Sequence, residues 1–110
     1  MPYYLFQGRY SPDAFKAMVA TPQNRETAGR KLVEATGGTL HHLFFAFGET
    51  DVVALAEQPD DNAMAATSMA LAASGAFAGG TTLKLMTAAE AQDAMRTAQT
   101  LQKAYTPPTG

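Results

Sequence analysis

Residues 39–57, TLHHLFFAFGETDVVALAE, hold two apolar runs on either side of Gly48-Glu49-Thr50-Asp51. Runs rich in Phe, Leu and Val around a break of Gly and Asp form a β-hairpin. With Gly48 and Glu49 as the central residues, Gly48 suits the first position of a type II′ turn. Phe45 then faces Val52, and Leu43 faces Ala54. A four-residue loop, Gly48–Asp51, moves the pairing by two and keeps the same faces, whereas a three-residue loop exchanges them. Side chains alternate along a strand, so residues two apart share a face. One face therefore carries His41, Leu43, Phe45, Phe47, Val52, Ala54 and Ala56, and the other His42, Phe44, Ala46, Val53, Leu55 and Glu57. The first is more apolar, and its alanines admit a helix at close range, so it is expected under the helices. The second has polar ends and suits a partner or a cavity.

The other elements follow in order. Tyr3–Tyr10 reads as a strand with Tyr4, Phe6 and Gly8 toward the helices and Tyr3, Leu5, Gln7 and Arg9 on the opposite side. Ser11-Pro12-Asp13 is a helix start: a cap, a proline at the first helical position and an early acid. Thr21-Pro22 interrupts that helix, and Thr21 is expected to cap a second piece reaching Thr36, ended by Gly37-Gly38. Asp60-Asp61 opens an Ala-rich helix to about Ser74, whose methionines read as core filler. Gly75–Gly80 is expected as a loop. It lacks the Lys-Ser/Thr and following helix of a phosphate-binding loop. Thr81–Met86 is the last strand, with Leu83 and Leu85 inward and Thr82, Lys84 and Met86 on the opposite face. A helix from Thr87 to about Lys103 and a frayed tail, residues 106–110, complete the chain.

The order strand, helix, strand, strand, helix, strand is the ferredoxin-like split βαβ plan, an antiparallel sheet with helices on one face, here with an extra C-terminal helix. The other face is bare in one copy and carries Leu5, Phe44, Val53 and Leu55, and an apolar patch of that kind marks an interface. Only 16% of the 110 residues are charged, in keeping with a surface partly turned away from water. A homodimer or a multiple of dimers is the expected assembly. The extra helix covers a sheet edge, packs on the second subunit or docks a partner.

Composition narrows the function classes. A formal net charge of −2 argues against nucleic acid, which requires a positive footprint. No stretch of about 20 apolar residues offers a membrane span, and MPYYLFQGRY lacks the basic lead and apolar core of a signal peptide. The chain has no Cys, which removes thiolate and zinc–sulfur chemistry and fits a cytoplasmic home. No metal site or cofactor is expected, since His41 and His42 are adjacent strand residues aimed at opposite faces. Asp51 is expected to cap its turn, and Ser11, Ser68 and Ser74 lack a nucleophile context.

The pieces Thr21-Pro22, Ala35-Thr36-Gly37-Gly38, Gly48-Glu49-Thr50-Asp51 with Val52-Val53-Ala54, Pro59-Asp60-Asp61 and Thr81-Thr82-Leu83 stand in the order of a known family. Over roughly residues 1–87 the chain resembles the GYD domain family, within the dimeric α+β barrel group. Residues 88–105 read as a C-terminal helical extension. The family's naming motif is Gly, an acid, Tyr and Asp; Thr50 stands where the motif has Tyr, so a role of that phenol is absent or moved. The resemblance implies a ferredoxin-like fold and dimers, and supplies no catalytic residue.

The bare face suggests its own chemistry. Gln7, Arg9, His42, Glu57 and Lys84 are expected to ring a pocket for a small anionic or carbonyl compound, with Tyr3 and Phe44 as its apolar floor. His42 beside Glu57 is the candidate acid/base pair, because a carboxylate fixes an imidazole's tautomer. Two functions follow: a dimeric module binding a small metabolite or a partner protein in the sheet-face cavity, or a cofactor-free isomerase- or monooxygenase-like enzyme using His42 and Glu57. A polar edge pair at the sheet rim is the plain alternative for those two residues.

Overall fold

The hairpin sets the sheet, and of the two pairings the sequence allows it takes the one with Phe45 against Val52. In the computed structural model, which describes residues 1–109, β2 (Thr39–Phe45) and β3 (Val52–Glu57) pair antiparallel with Phe45 against Val52 and Leu43 against Ala54. The turn is wider than two residues: the last backbone bond runs from the Ala46 amide to the Asp51 carbonyl, 2.8 Å. Asp51 does not cap that turn. Its Oδ2 accepts from the Tyr10 amide at 3.0 Å, and its own amide donates to the Gly8 carbonyl, which ties the hairpin to the end of β1 (Tyr3–Tyr10).

β1 lies between β3 and β4 (Phe77–Leu85), giving the order β2-β3-β1-β4 with every pair antiparallel. The last strand is longer than the sequence indicated, because Phe77–Gly80 extends it where a loop was expected. Four α-helices complete the α+β fold: α1 (Pro12–Ala20), α2 (Arg25–Ala35), α3 (Asp61–Ala73) and α4 (Ala88–Leu101). Ser11, Asp60 and Thr87 cap α1, α3 and α4 as their side chains dictate. Thr21 closes α1 instead of opening α2; Asn24, nearer the first helical turn, accepts from the Glu26 amide. Gly37, with φ of 85°, turns the chain out of α2, and Gly38 passes so close to the Glu57 carbonyl that a Cβ would stand 2.4 Å from it.

The helices α1, α2 and α3 share one side of the sheet. Tyr4, Leu40, Val52 and Ala56 are buried there, with Leu43 and Ala54 packed against them. Two register facts change the face assignments. A β-bulge at His41 adds one residue between the pairs Leu40–Ala56 and His42–Leu55. Strict alternation places Leu40 and Leu43 on opposite faces; the bulge brings both under the helices. The second change lies in β4, where Tyr3 pairs with Leu85, Leu5 with Leu83 and Tyr4 with Lys84. Leu83 and Leu85 therefore stand on the helix-free face, and Thr82 and Lys84 face α3. Polar contacts hold them there: Ser68 Oγ lies 3.1 Å from Thr82 Oγ1, and Lys84 Nζ 2.9 Å from Asp61 Oδ1.

Asp61 also accepts the Tyr4 hydroxyl. Burial, reinforced by that carboxylate, pushes the Tyr4 phenol up to about 12. The Tyr4 hydroxyl and Lys84 hold the Asp61 carboxyl below its ordinary value. Each shift sets a direction for stability. Tyr4 keeps its proton in the folded chain after the unfolded chain has lost it, so stability falls as pH rises from about 10 toward 12. Asp61 contributes above the ordinary carboxyl range, and that contribution is lost as pH falls below it. In an alkaline titration followed at the tyrosinate absorbance band, Tyr4 is expected to titrate near pH 12. That step is expected to vanish in Tyr4→Phe; its persistence would assign it elsewhere.

α4 stands apart. It has a full capping box between Thr87 and Glu90 and no buried residue, and Met95 and Leu101 are exposed. The chain spans 60 Å in its longest dimension, with a radius of gyration of 18.0 Å, against about 13 Å for a compact domain near this length. A 3-10 turn, Gln102–Ala104, follows α4, and residues 105–109 form neither helix nor strand. The last residue of the expected frayed tail, Gly110, lies outside the described residues.

Candidate functional site

The helix-free face is the first candidate. Its middle is apolar, built from Leu5 on β1, Val53 and Leu55 on β3, Leu83 on β4 and Phe44 on β2; Phe44 and Leu83 are well exposed. Of the seven residues expected to ring or floor a pocket, six share this face: Tyr3, Gln7, Arg9, His42, Phe44 and Glu57. They do not form a ring. Tyr3 and Arg9 stand six positions apart on one strand, about 20 Å at strand rise. The face thus has two poles, one at Tyr3 and Glu57 and one at Gln7 and Arg9. Lys84 is not on it. The pairing of Tyr4 with Lys84 turns its ammonium to the helix side, where Asp61 holds it.

The predicted His42–Glu57 pair is replaced by another. His42 pairs with Leu55 in the ladder and stacks on Phe44, rings 5.6 Å apart and 14° from parallel. It is His41 whose Nε2 lies 2.7 Å from Glu57 Oε1, with both side chains partly buried and the Tyr3 ring 5.7 Å from the imidazole. The bulge is the cause: by removing His41 from the alternation, it turns that side chain toward the face that holds Tyr3 and Glu57. Tyr3, His41 and Glu57 form a compact polar cluster with an aromatic wall, able to orient a hydrogen-bonding ligand or to pass a proton. Among the described residues no three His, Cys, Asp or Glu side chains gather at metal-binding distance.

The second candidate lies on the other side of the sheet and was not anticipated. A cavity of about 150 Å³ separates the sheet from α2 and α3, lined by Phe6, Tyr10, Leu32, Leu43, Val52, Ala54, Met64 and Phe77 among others, with Arg25 on its wall. The space is partly open to solvent, and native interiors hold few voids larger than a water molecule. Aromatic rings close one end: Tyr10 stacks on Phe77 at 4.7 Å and on Phe45 at 5.7 Å, while Phe6 meets Phe77 edge-on at 5.3 Å. Burial pushes the Tyr10 phenol up, against the Arg25 guanidinium beside it. The sequence signal was faint: small residues, Ala28, Gly29, Ala54 and Ala56, meet across the layer where larger side chains would fill it.

Both candidates sit on an α+β domain of one four-stranded antiparallel sheet and four helices. The GYD domain model matches residues 4–95, and the chain belongs to the GYD domain family. That match runs past Thr87 into α4. Comparison with curated proteins and with solved structures finds no significant match. No helix among the described residues is long and apolar enough to cross a membrane.

Proposed function

We propose that the chain is a homodimeric, small-ligand-binding module of ferredoxin-like plan, in which the helix-free faces of two copies close into an α+β barrel and a small metabolite binds at its polar rim. One observation carries the reading: an uncovered sheet face with an apolar middle and polar poles. The order β2-β3-β1-β4 supports the ferredoxin-like plan. The placement of Leu83 and Leu85 enlarges the apolar area available to a second copy. α4 supports the same assembly, since a capped 14-residue helix with no buried residue gains its stability by packing, and a second copy offers the surface. The part of α4 beyond the family match reads as a C-terminal extension in that role. The lack of Cys is in keeping with a reducing, cytoplasmic setting.

The ligand end is the cluster of Tyr3, His41 and Glu57, whose donors and acceptors suit a small anionic or carbonyl compound. The same cluster supports a second reading, a cofactor-free enzyme of isomerase or monooxygenase type with His41 and Glu57 as its acid/base pair. In protein purified gently from its host, native mass spectrometry is expected to find a retained small molecule. His41→Gln is expected to lower its occupancy about tenfold, the worth of one charge-assisted hydrogen bond. Unchanged occupancy would remove His41 from the site. A variant that retains the molecule fully while losing turnover of it, by about a hundredfold or more, would favour the enzyme.

A further inference from the structure

The cavity beneath the helices is separate from the site proposed above, and its lining is chemically specific. Its walls are apolar, and at one end the rings of Phe6, Tyr10 and Phe77 form an aromatic corner. Arg25 is the only lining residue that carries a charge, and its guanidinium lies beside the Tyr10 hydroxyl. Arg25 Nη1 donates to the neutral Gln23 Oε1 at 2.6 Å, and among the described residues no carboxylate stands within ion-pair distance of Arg25. A cation on the wall of an apolar space leaves a defined demand: one negative charge attached to an apolar body.

We propose that this cavity binds a small aromatic monocarboxylate, its ring seated against Phe6, Tyr10 and Phe77 and its carboxylate held by Arg25 with the Tyr10 hydroxyl. Size, shape and charge each limit the occupant. An apolar space of about 150 Å³ accepts a benzene-sized molecule, so a single ring fits it and a short acidic arm reaches Arg25 on its wall. Aromatic walls favour a ring, through offset and edge-on contacts. A guanidinium presents a planar fork that matches a carboxylate, and a single cation balances a single charge.

Benzoate and phenylacetate are the probes, with benzyl alcohol as the uncharged control, titrated into the full chain and followed by amide chemical shifts. Benzoate is expected to move the amides of Ala28, Gly29, Leu43 and Ala54. Arg25→Gln is expected to weaken benzoate about tenfold and to leave benzyl alcohol within about twofold, the loss of one charge-assisted contact. Ala54→Leu, which fills the space, is expected to abolish binding of both. Should Ala54→Leu fail to fold, the ratio of benzoate to benzyl alcohol affinity in Arg25→Gln decides alone. Three results would overturn the proposal: no shift at cavity amides, shifts confined to the helix-free face around Tyr3, His41 and Glu57, or equal benzoate affinity in the parent and Arg25→Gln. Because the two sites lie on opposite faces of the sheet, the map of shifts separates failure here from failure of the metabolite site.

Discussion

Leu83→Asp is expected to abolish the proposed dimer without unfolding the chain. Leu83 is 47% exposed in the single chain, so a carboxylate there meets water in the monomer and costs the fold little. Leu83 stands in the apolar middle of the face, beside Leu5 and, one strand further, Leu55, which the proposed dimer would bury. Two-fold symmetry brings the change in twice. An uncompensated buried charge costs on the order of 3–5 kcal/mol, so dimer affinity is expected to fall at least a hundredfold. Light scattering after size exclusion, with circular dichroism as the check on folding, reads both quantities. A Leu83→Asp protein that remains dimeric would move the interface off this face. Phe44, 62% exposed on the same face, offers a second test through Phe44→Asp.

Gln58→Ala is expected to lower the stability of the fold by about 3 kcal/mol. Gln58 is 0% exposed and is the largest fully buried side chain. Its Oε1 lies 2.5 Å from Thr36 Oγ1 and its Nε2 donates to Thr67 Oγ1 at 3.1 Å, while its amide donates to the Pro2 carbonyl. The side chain thereby joins the end of α2 to the body of α3, and the backbone amide of the same residue ties in the N-terminal segment. Truncation leaves a cavity and removes both side-chain bonds. The two hydroxyls are not orphaned, because Thr36 Oγ1 lies 2.8 Å from the Val33 carbonyl and Thr67 Oγ1 2.8 Å from that of Ala63. Gln58→Leu, which keeps most of the volume, is therefore expected to cost only about 1 kcal/mol. In a thermal melt, roughly 4–8 °C per kcal/mol for a domain near this size separates the two variants clearly. Equal losses would mean that the hydrogen bonds, rather than the filled volume, set the cost.

Much of the fold was legible because strong local signals agreed. The Gly48 break located the hairpin and left two pairings two residues apart, and Ser11-Pro12, Asp60 and Thr87 placed three helix starts. What failed were faces, and each failure has a local cause. Alternation was carried through His41 and His42, although the spacing of Leu40 and Leu43 already contained the misfit: two leucines three apart cannot share a face of a regular strand. The bulge resolves that conflict in favour of burying both leucines, and in doing so changes which histidine meets Glu57. In β4 the leucines were turned inward by hydrophobicity alone. There the register with β1 prevails, and the apolar residues are left on the surface. A partner surface is one of the few settings in which that arrangement is favourable. The cavity was the least legible feature, since an empty volume is set by how far apart the layers stand, which no local pattern records.

The dimer is the claim on which the proposed function rests, and native mass spectrometry of the full chain at micromolar concentration tests it most directly. The proposed assembly requires a species at twice the 11.6 kDa chain mass, or at an even multiple of it. A chain that stays monomeric under those conditions would contradict the closure of two sheet faces, leaving Leu5, Leu55 and Leu83 as an exposed apolar surface with a different occupant.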